Sequence, residues 1–167
     1  AATEIEMKDK KERVNDAVAA TKAALESGIV PGGGVALLRA RKTLLKFKDS
    51  LTLPDEKVGV AILYEALAEP IRWIAKNAGA DEGWVMRQVE DSKVNDYGFN
   101  VMSMSFSSMI ADGIVDPAKV TRSAVQNAAS IGMMVLTTEA LITDLPEKKE
   151  PSMPGGMGGM PGGMGEY

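Results

Sequence analysis

The stretch Val-Pro-Gly-Gly-Gly-Val-Ala-Leu-Leu, residues 30–38, lies between two segments that both have the apolar spacing of helices. Gly32, Gly33 and Gly34 have no Cβ, so the backbone there can take positive φ angles and approach a ligand closely. A helix that begins at Val35 directs its unpaired N–H groups back into this loop. No Gly-Lys-Ser/Thr follows, as in a Walker A loop, and no strand is predicted before it, as in a dinucleotide fold. Alone, the loop fits either a helix–loop–helix junction or a ligand contact.

The composition excludes several kinds of site. Of the 167 residues, 45% are hydrophobic but only 5% are aromatic, a mixture that suits packed helices. The chain has no cysteine and no histidine, which excludes disulfides, thiolate nucleophiles, histidine-based triads and Cys/His metal sites. The net charge of −4, with both signs interspersed, argues against a nucleic-acid partner. No signal peptide or membrane-spanning apolar run is found, so we expect a soluble intracellular protein with no membrane partner.

The segment before the glycine loop predicts an amphipathic helix that ends at Gly28. Its apolar stripe consists of residues at helical spacing, namely Val14, Val18, Thr21 and Leu25. Asp16 lies about 200° around the helix axis from Val14, and therefore faces away from the stripe. Asp16 is either a solvated surface carboxylate or, if its face looks across a cleft, a functional group.

Beyond the loop, the pattern predicts a series of helices. They share apolar residues three or four positions apart and run from Val35 to Lys48, Asp55 to Glu69, Ile71 to Gly79, Asp81 to Asp91 and Ala118 to Val135. Pro70 has no N–H group and predicts a break in the chain of helices. Asp116 followed by Pro117 predicts a helix start, with aspartate at the N-cap and proline at the first helical position.

Two segments predict short strands. Residues 95–100 have turn chemistry, and Val101 to Phe106 predict a short hairpin after them. Leu136 to Thr143 is apolar and rich in β-branched residues, which predicts an edge strand. Because little else in the chain offers that strand a partner, we expect it to pair with a neighbouring subunit or another part of the polypeptide. The predicted fold is mainly α and multihelical, with a short hairpin and a C-terminal edge strand.

The composition changes again near Pro146. Residues 153–164 form a Gly-Gly-Met repeat that cannot bury enough apolar surface to offset its chain entropy. Residues 145–167 are therefore predicted to be a disordered tail. The tail is either an inert linker or a source of transient contacts between its methionines and apolar surfaces.

Several motifs, taken in order along the chain, resemble the group I chaperonins, the GroEL type. The matching motifs are Gly-Gly-Gly-Val-Ala-Leu at 32–37, Tyr-Gly-Phe-Asn at 97–100, Asp-Pro-Ala-Lys-Val-Thr-Arg-Ser-Ala at 116–124, Gln-Asn-Ala-Ala-Ser at 126–130, Leu-Thr-Thr-Glu-Ala at 136–140 and the Gly-Gly-Met tail. The similarity spans the whole chain with compatible spacing. The tail together with Asp-Pro-x-Lys-Val-Thr-Arg is a highly specific combination.

The resemblance implies a division into three regions. Residues 1–26 are similar to the returning helix of the hinge (intermediate) domain, and residues 27–144 to the C-terminal half of the equatorial, ATP-binding domain; residues 145–167 are the tail. The family's Gly-Asp-Gly-Thr-Thr loop, which holds Mg²⁺ and phosphate, and its apical domain are not in this sequence. We therefore expect a fragment of an ATPase subunit that hydrolyses little or no ATP by itself.

The resemblance also assigns roles to individual residues. Gly33 is expected to lie against ATP through its backbone. Asn100 and Asp116 are expected to contact the adenosine end, with Asp116 accepting hydrogen bonds from ribose hydroxyls. Asp16 matches the hinge aspartate that orients the attacking water near Mg²⁺. Val101 and Met102 stand where the family usually has two alanines that line the base, and no metal ligand is assigned to this chain.

A second departure from the family is Ser105-Phe106-Ser107-Ser108, which replaces a more acidic, glycine-containing run. The implied partners are copies of the subunit in stacked seven-membered rings, a 10 kDa co-chaperonin and unfolded polypeptide clients. The implied location is the bacterial cytoplasm, ahead of the mitochondrial matrix or plastid stroma. An alternative of another class is a non-catalytic helical scaffold that self-assembles through its terminal strand without ATP turnover.

Overall fold

The structure of the protein is a computed structural model that describes residues 1–144. Six helices and four short strands follow one another in those residues. Their bounds are α1 (Glu4–Ser27), β1 (Ile29–Pro31), α2 (Val35–Ser50), α3 (Pro54–Ala66), α4 (Glu69–Asn77), α5 (Glu82–Asp91), β2 (Tyr97–Asn100), β3 (Ser105–Ser108), β4 (Val115–Pro117) and α6 (Ala118–Thr137). The predicted mainly α class is confirmed. The predicted tail lies outside the described residues.

The core lies where α2, α4 and α5 meet the β2–β3 hairpin. It consists of small and aliphatic side chains with one aromatic ring, namely Val35, Leu38, Ala68, Ile71, Ala75, Val85, Val89, Phe99 and Met109. The hairpin is fastened to α5 by the Phe106 ring, whose centroid lies 5.1 Å from that of Trp84 and 5.5 Å from that of Tyr97. The strands that carry the candidate site are thus attached to a packed helical base.

Local signals place most helix ends as predicted. Pro70 is near the start of α4, so the chain breaks between Ala66 and Glu69 instead of continuing as one helix. Asp81 caps α5, its Oδ1 accepting a hydrogen bond from the Trp84 N–H at 2.6 Å. Gly28, at φ +76°, ends α1.

Residues 136–143 are predicted to form an edge strand that pairs with another subunit or another part of the polypeptide. The first two of them, Leu136 and Thr137, are instead the end of α6, and residues 138–144 pair with no strand of residues 1–144. Threonine hydroxyls account for the difference, because they satisfy carbonyls of the last helical turn. Thr137 Oγ1 lies 3.1 Å from the carbonyl oxygens of Met133 and Met134, and Thr138 Oγ1 lies 2.7 Å from that of Val135.

The predicted role of Asp116 as a helix N-cap is also wrong. Asp116 lies in β4, which pairs antiparallel with β1, and the helix begins two residues later at Ala118. Proline disfavours helical geometry at the residue before it, and pairing with β1 holds that residue extended. The first helical N–H, that of Ala118, donates to the Gly28 carbonyl at 3.0 Å.

The remaining corrections concern strands. Residues 97–100, predicted as a turn, form β2, which pairs with β3; the turn is Val101 to Met104, so the hairpin exists but begins earlier than predicted. A three-residue strand, β1, precedes the glycine loop, where none was predicted. Its partner is distant in sequence, and so short a strand leaves no periodic signal.

Among residues 1–144, no helix combines the length and the apolar character that crossing a bilayer demands.

Candidate functional site

The glycine loop is a tight turn pinned from both sides. The Gly32 N–H donates to the Ile114 carbonyl at 2.9 Å, and Gly33 and Gly34 have φ angles of +66° and +77°. A Cβ on Gly34 would lie 2.7 Å from the Ile71 backbone nitrogen, so packing requires glycine there. A Cβ on Gly33 would meet only the Met109 sulfur, at 3.6 Å. Glycine at 33 is thus favoured by backbone conformation, and its outer face stays open to a ligand.

The loop presents the uncapped N-terminus of α2. Gly34 is the N-cap residue, no side chain caps the helix, and its first turn has no acidic residue. Within residues 1–144, the N–H groups of Gly33, Gly34 and Ala36 have no backbone acceptor. Such unpaired donors carry the positive end of the helix dipole and suit an electron-rich ligand group.

Strand β4 brings a carboxylate to the same place. Asp116 lies opposite Val30 in the β1–β4 pair, three residues before Gly33. Its side chain is partly buried, and among the described residues it has no hydrogen-bond or ion-pair partner. Burial raises the pKa of the Asp116 carboxyl above its ordinary value. A carboxylate without a protein partner is available to accept hydrogen bonds from ligand hydroxyls.

Asn100 ends β2, and its side chain is already engaged. The amide Nδ2 donates to Asp112 Oδ2 at 2.8 Å, and Oδ1 accepts the Met102 N–H at 3.0 Å. The amide therefore closes the turn of the hairpin. In that turn, Val101 packs against the core, whereas the Met102 side chain is 91% exposed.

The segment from Asp112 to Asp116 joins these residues into one surface. Asp112 bonds Asn100, the Ile114 carbonyl bonds the glycine loop, and Asp116 pairs with β1. The segment therefore connects the glycine loop, Asn100 and Asp116, with Val101 and Met102 in the turn that follows Asn100. Each was predicted individually; the connection through residues 112–116 was not.

Asp16 stands apart from this surface. It is exposed on α1 and precedes Gly28, the end of the helix, by twelve residues, or about 18 Å along the axis. Among the described residues, no hydrogen bond or ion pair links Asp16 to the glycine loop or to β4. The C-terminal end of α1 is anchored, since Glu26 forms an ion pair with Lys119 at the start of α6.

Sequence reasoning missed Asp112 and Ser107. Asp112 Oδ2 accepts one hydrogen bond from Ser107 Oγ and another from Asn100 Nδ2. These two hydrogen bonds, that from Ser107 foremost, lower the pKa of the Asp112 carboxyl. The Asp-Gly pair at 112–113 was a turn signal, but the partners of its carboxylate depend on the hairpin register.

Two hollows of the described residues lie away from the candidate site. They measure about 210 and 380 Å³, lie between α2 and α3 and contain no residue of the glycine loop, the hairpin turn or β4. The candidate site combines N–H donors, a carboxylate without a partner among residues 1–144 and a hydrogen-bonded turn. Within residues 1–144, no three acidic side chains are grouped so that they could hold a metal ion.

A comparison with protein-family models finds a match. The model described as the TCP-1/cpn60 chaperonin family matches residues 1–146 of the 167. The matched range contains all six helices and every candidate residue described above.

Proposed function

The chain belongs to the TCP-1/cpn60 chaperonin family, and we propose that it is the C-terminal part of an ATP-dependent ring chaperonin subunit of the group I type. Family membership supports a role in assisting other polypeptides. In this proposal, residues 1–26 belong to the hinge and residues 27–144 form the C-terminal half of the nucleotide-binding domain. The phosphate and Mg²⁺ ligands belong to another part of the full-length subunit.

The observation that carries the proposal is the β1–β4 pair, which holds Asp116 beside the glycine loop. Ribose hydroxyls are hydrogen-bond donors, and the Asp116 carboxylate has no hydrogen-bond or ion-pair partner among residues 1–144. The N–H groups of Gly33 and Gly34 have no backbone acceptor in those residues, so they supply complementary donors. These residues therefore fit the adenosine side of ATP.

Asn100 contributes indirectly in this proposal. Its side-chain amide holds the hairpin turn, so the turn itself, with Val101 and Met102, meets the adenine end. The larger side chains at 101 and 102 make this wall bulkier than the alanine pair of the resembling family. Met102 is exposed and unbranched, so it can adjust to a base.

Asp16 supplies the carboxylate for hydrolysis. Its exposure and its distance along α1 mean that the helix must tilt to bring it to the nucleotide, and Gly28 at the C-terminal end is a suitable pivot. A carboxylate there would orient the attacking water, and Mg²⁺ bound by the full-length subunit would supply neutralisation of the phosphate charge. Positioning and charge neutralisation dominate phosphoryl transfer, so no histidine is needed.

The experiment replaces Asp16 with alanine in the full-length subunit that contains this chain, and measures ATP affinity and hydrolysis. We expect hydrolysis to fall by about 10²-fold with affinity retained, because only the water-orienting group is lost. Glu12→Ala is the matched control, since it removes an exposed carboxylate one turn earlier on the same helix. Equal rates for Asp16→Ala and the unmodified protein would overturn the role of Asp16.

We further propose that the full-length subunit assembles into stacked seven-membered rings in the bacterial cytoplasm. Its partners there would be a 10 kDa co-chaperonin and non-native polypeptide clients. The scaffold alternative predicts the same self-assembly without ATP turnover. Native mass spectrometry of the full-length protein, with and without ATP, tests the assembly. Rings of seven subunits support the group I assignment, and a monomer under all conditions contradicts it.

A further inference from the structure

Asp112 lies outside the set of residues that the family resemblance assigned. Its carboxylate nevertheless accepts hydrogen bonds from two side chains of the hairpin, those of Asn100 and Ser107. We propose that Asp112 is a positioning residue, which fixes the hairpin turn relative to the glycine loop and thereby sets the affinity for the adenosine end of ATP. The inference rests on the proposed nucleotide contact of this surface. It concerns where the turn lies, and assigns Asp112 no contact with ATP.

The carboxylate of Asp112 joins two side chains of the hairpin. Its Oδ2 accepts hydrogen bonds from Asn100 Nδ2 at 2.8 Å and from Ser107 Oγ at 2.5 Å. Asn100 uses the other end of the same amide, Oδ1, to accept the Met102 N–H. Loss of the carboxylate would free the amide to rotate, and the turn would lose the group that holds it.

The backbone of Asp112 belongs to a rigid connection. Its N–H donates to the Ser108 carbonyl at 3.0 Å, and the Ile114 N–H donates to the Met109 carbonyl at 2.8 Å. The Ile114 carbonyl then accepts the Gly32 N–H at 2.9 Å. A short, hydrogen-bonded path therefore links the turn to the glycine loop, and its side-chain step is the hydrogen bond between the Asn100 amide and the Asp112 carboxylate.

The fold does not depend on this carboxylate. Asp112 is exposed, and the other end of the hairpin is held separately, by the Ser108 hydroxyl on the Asp96 carboxylate and by the Met109 N–H on the Asp96 carbonyl at 2.8 Å. Phe106 also fixes the hairpin to α5. Removing the Asp112 carboxylate should therefore displace the turn without unpairing the strands.

The test measures ATP affinity of the full-length subunit by calorimetry, together with kcat, KM and Tm. For Asp112→Ala we expect ATP binding weaker by about 5- to 10-fold, the effect of one lost charge-assisted hydrogen bond. The value of kcat at saturating ATP should stay within about twofold, since the turn acts in binding. The Tm should fall by no more than about 2 °C, because the carboxylate is exposed.

Two variants separate positioning from a general loss of structure. Asp112→Asn keeps an acceptor oxygen for the Asn100 amide and should restore affinity to within about twofold of the unmodified protein. In an Asn100→Ala background, Asp112→Ala should have little further effect, because the two side chains act as one unit. Asp49→Ala is the matched control, since this exposed carboxylate lies fourteen residues after Val35 on α2, about 21 Å from the loop.

The outcomes are distinct. An unmodified subunit that does not bind ATP overturns the proposed function, and this inference with it. ATP binding by the unmodified subunit with equal affinity in Asp112→Ala overturns the positioning role alone. Full additivity of the Asp112→Ala and Asn100→Ala losses also overturns it. If Asp112→Ala fails to fold, Ser107→Ala decides, because it removes one of the two hydrogen bonds that hold the Asp112 carboxylate. Weaker ATP binding by Ser107→Ala supports the positioning role, and unchanged affinity overturns it.

Discussion

Helices α1 and α2 are both long and both have apolar side chains on one stripe, but they differ in what those side chains contact. Helix α2 buries Val35, Leu38 and Arg41 against its neighbours, whereas no residue of α1 is buried. Val18, in the predicted stripe of α1, is 49% exposed. The described chain thus contains the packing surface for α2 but not that for most of α1.

This difference explains why the two parts of the proposed machinery are defined to different degrees. Gly33 and Asp116 are held by β1, β4 and the core under α2, so their relative position is a property of this chain. Asp16 is on α1, which contacts β4 and α6 but buries nothing. Among residues 1–144, no hydrogen bond or ion pair holds Asp16 near the glycine loop, so the role that we propose for it requires α1 to move.

The largest effect that we expect is on the free energy of unfolding, which should fall for a substitution in α2 but not for one in α1. Leu38→Ala should cost about 3 kcal/mol of unfolding free energy in the 167-residue chain, because the fully buried side chain leaves a cavity. Val18→Ala should change it by no more than about 0.5 kcal/mol. Urea unfolding followed by circular dichroism measures both. Similar losses in the two variants would show that α1 is as firmly packed as α2.

Glycine substitutions give the next largest effect. Gly34→Ala should cost about 2 kcal/mol, since a Cβ would meet the Ile71 backbone and the φ angle is +77°. Gly59→Ala, inside α3 and with no atom within 4 Å of its Cβ, should instead stabilise by about 0.5–1 kcal/mol. A stabilising Gly34→Ala, in the same unfolding assay, would contradict the packed glycine loop.

A smaller effect is expected from a substitution in α6, none of whose residues is buried. A Cβ on Gly132 meets nothing within 4 Å in this chain, so Gly132→Ala should stabilise it by about 0.5–1 kcal/mol through helix propensity. In the full-length subunit, a smaller gain or a loss would show that further polypeptide packs against α6. Thermal unfolding of both proteins makes the comparison. An equal gain in both would argue that α6 remains uncovered.

The smallest effect concerns the charge of Asp116. Burial raises its folded-state pKa, so the ionised form costs stability above that pKa and nothing below the ordinary value near 4. Asp116→Asn should therefore raise the Tm at pH 7 by about 1 °C, and the gain should vanish as the pH falls toward 4. A gain that persists unchanged at acid pH would assign the effect to something other than charge burial.

Local signals in the sequence predicted what local chemistry decides. The ends of α1 and α5, the break at Pro70 and the start of α2 after the glycines follow from caps, prolines and glycines acting within a few residues. The apolar stripe of α1 was also visible. Its exposure was not, because amphipathic spacing specifies a face and not the surface that covers it.

Non-local pairing could not be predicted in the same way. Strand β1 has three residues, and its partner β4 lies more than eighty residues later, so neither has enough length for a periodic pattern. The sequence therefore predicted Asp116 as a helix cap, which is a local role. Pairing with β1 places it in a strand instead. The run after Val135 favoured a strand by composition, but threonine hydroxyls end the helix there instead.

The site residues were named from resemblance, and their arrangement came from the fold. Gly33, Asn100 and Asp116 are far apart in sequence, and the link between them runs through Asp112 and Ile114. Asp112 carries no motif of its own. Its importance depends on the register of β2 and β3, which places Asn100 opposite Ser105 and leaves the Asn100 amide within reach of the following loop.

The central claim is that strand pairing makes Asp116 a ligand for the adenosine end of ATP. Isothermal titration of ATP into the full-length subunit, unmodified and with Asp116→Ala, tests it most directly, with Asp49→Ala as control. We predict affinity weaker by about 10-fold for Asp116→Ala, from loss of charge-assisted hydrogen bonds to ribose, and no change for Asp49→Ala. Equal affinity in all three proteins would contradict the claim.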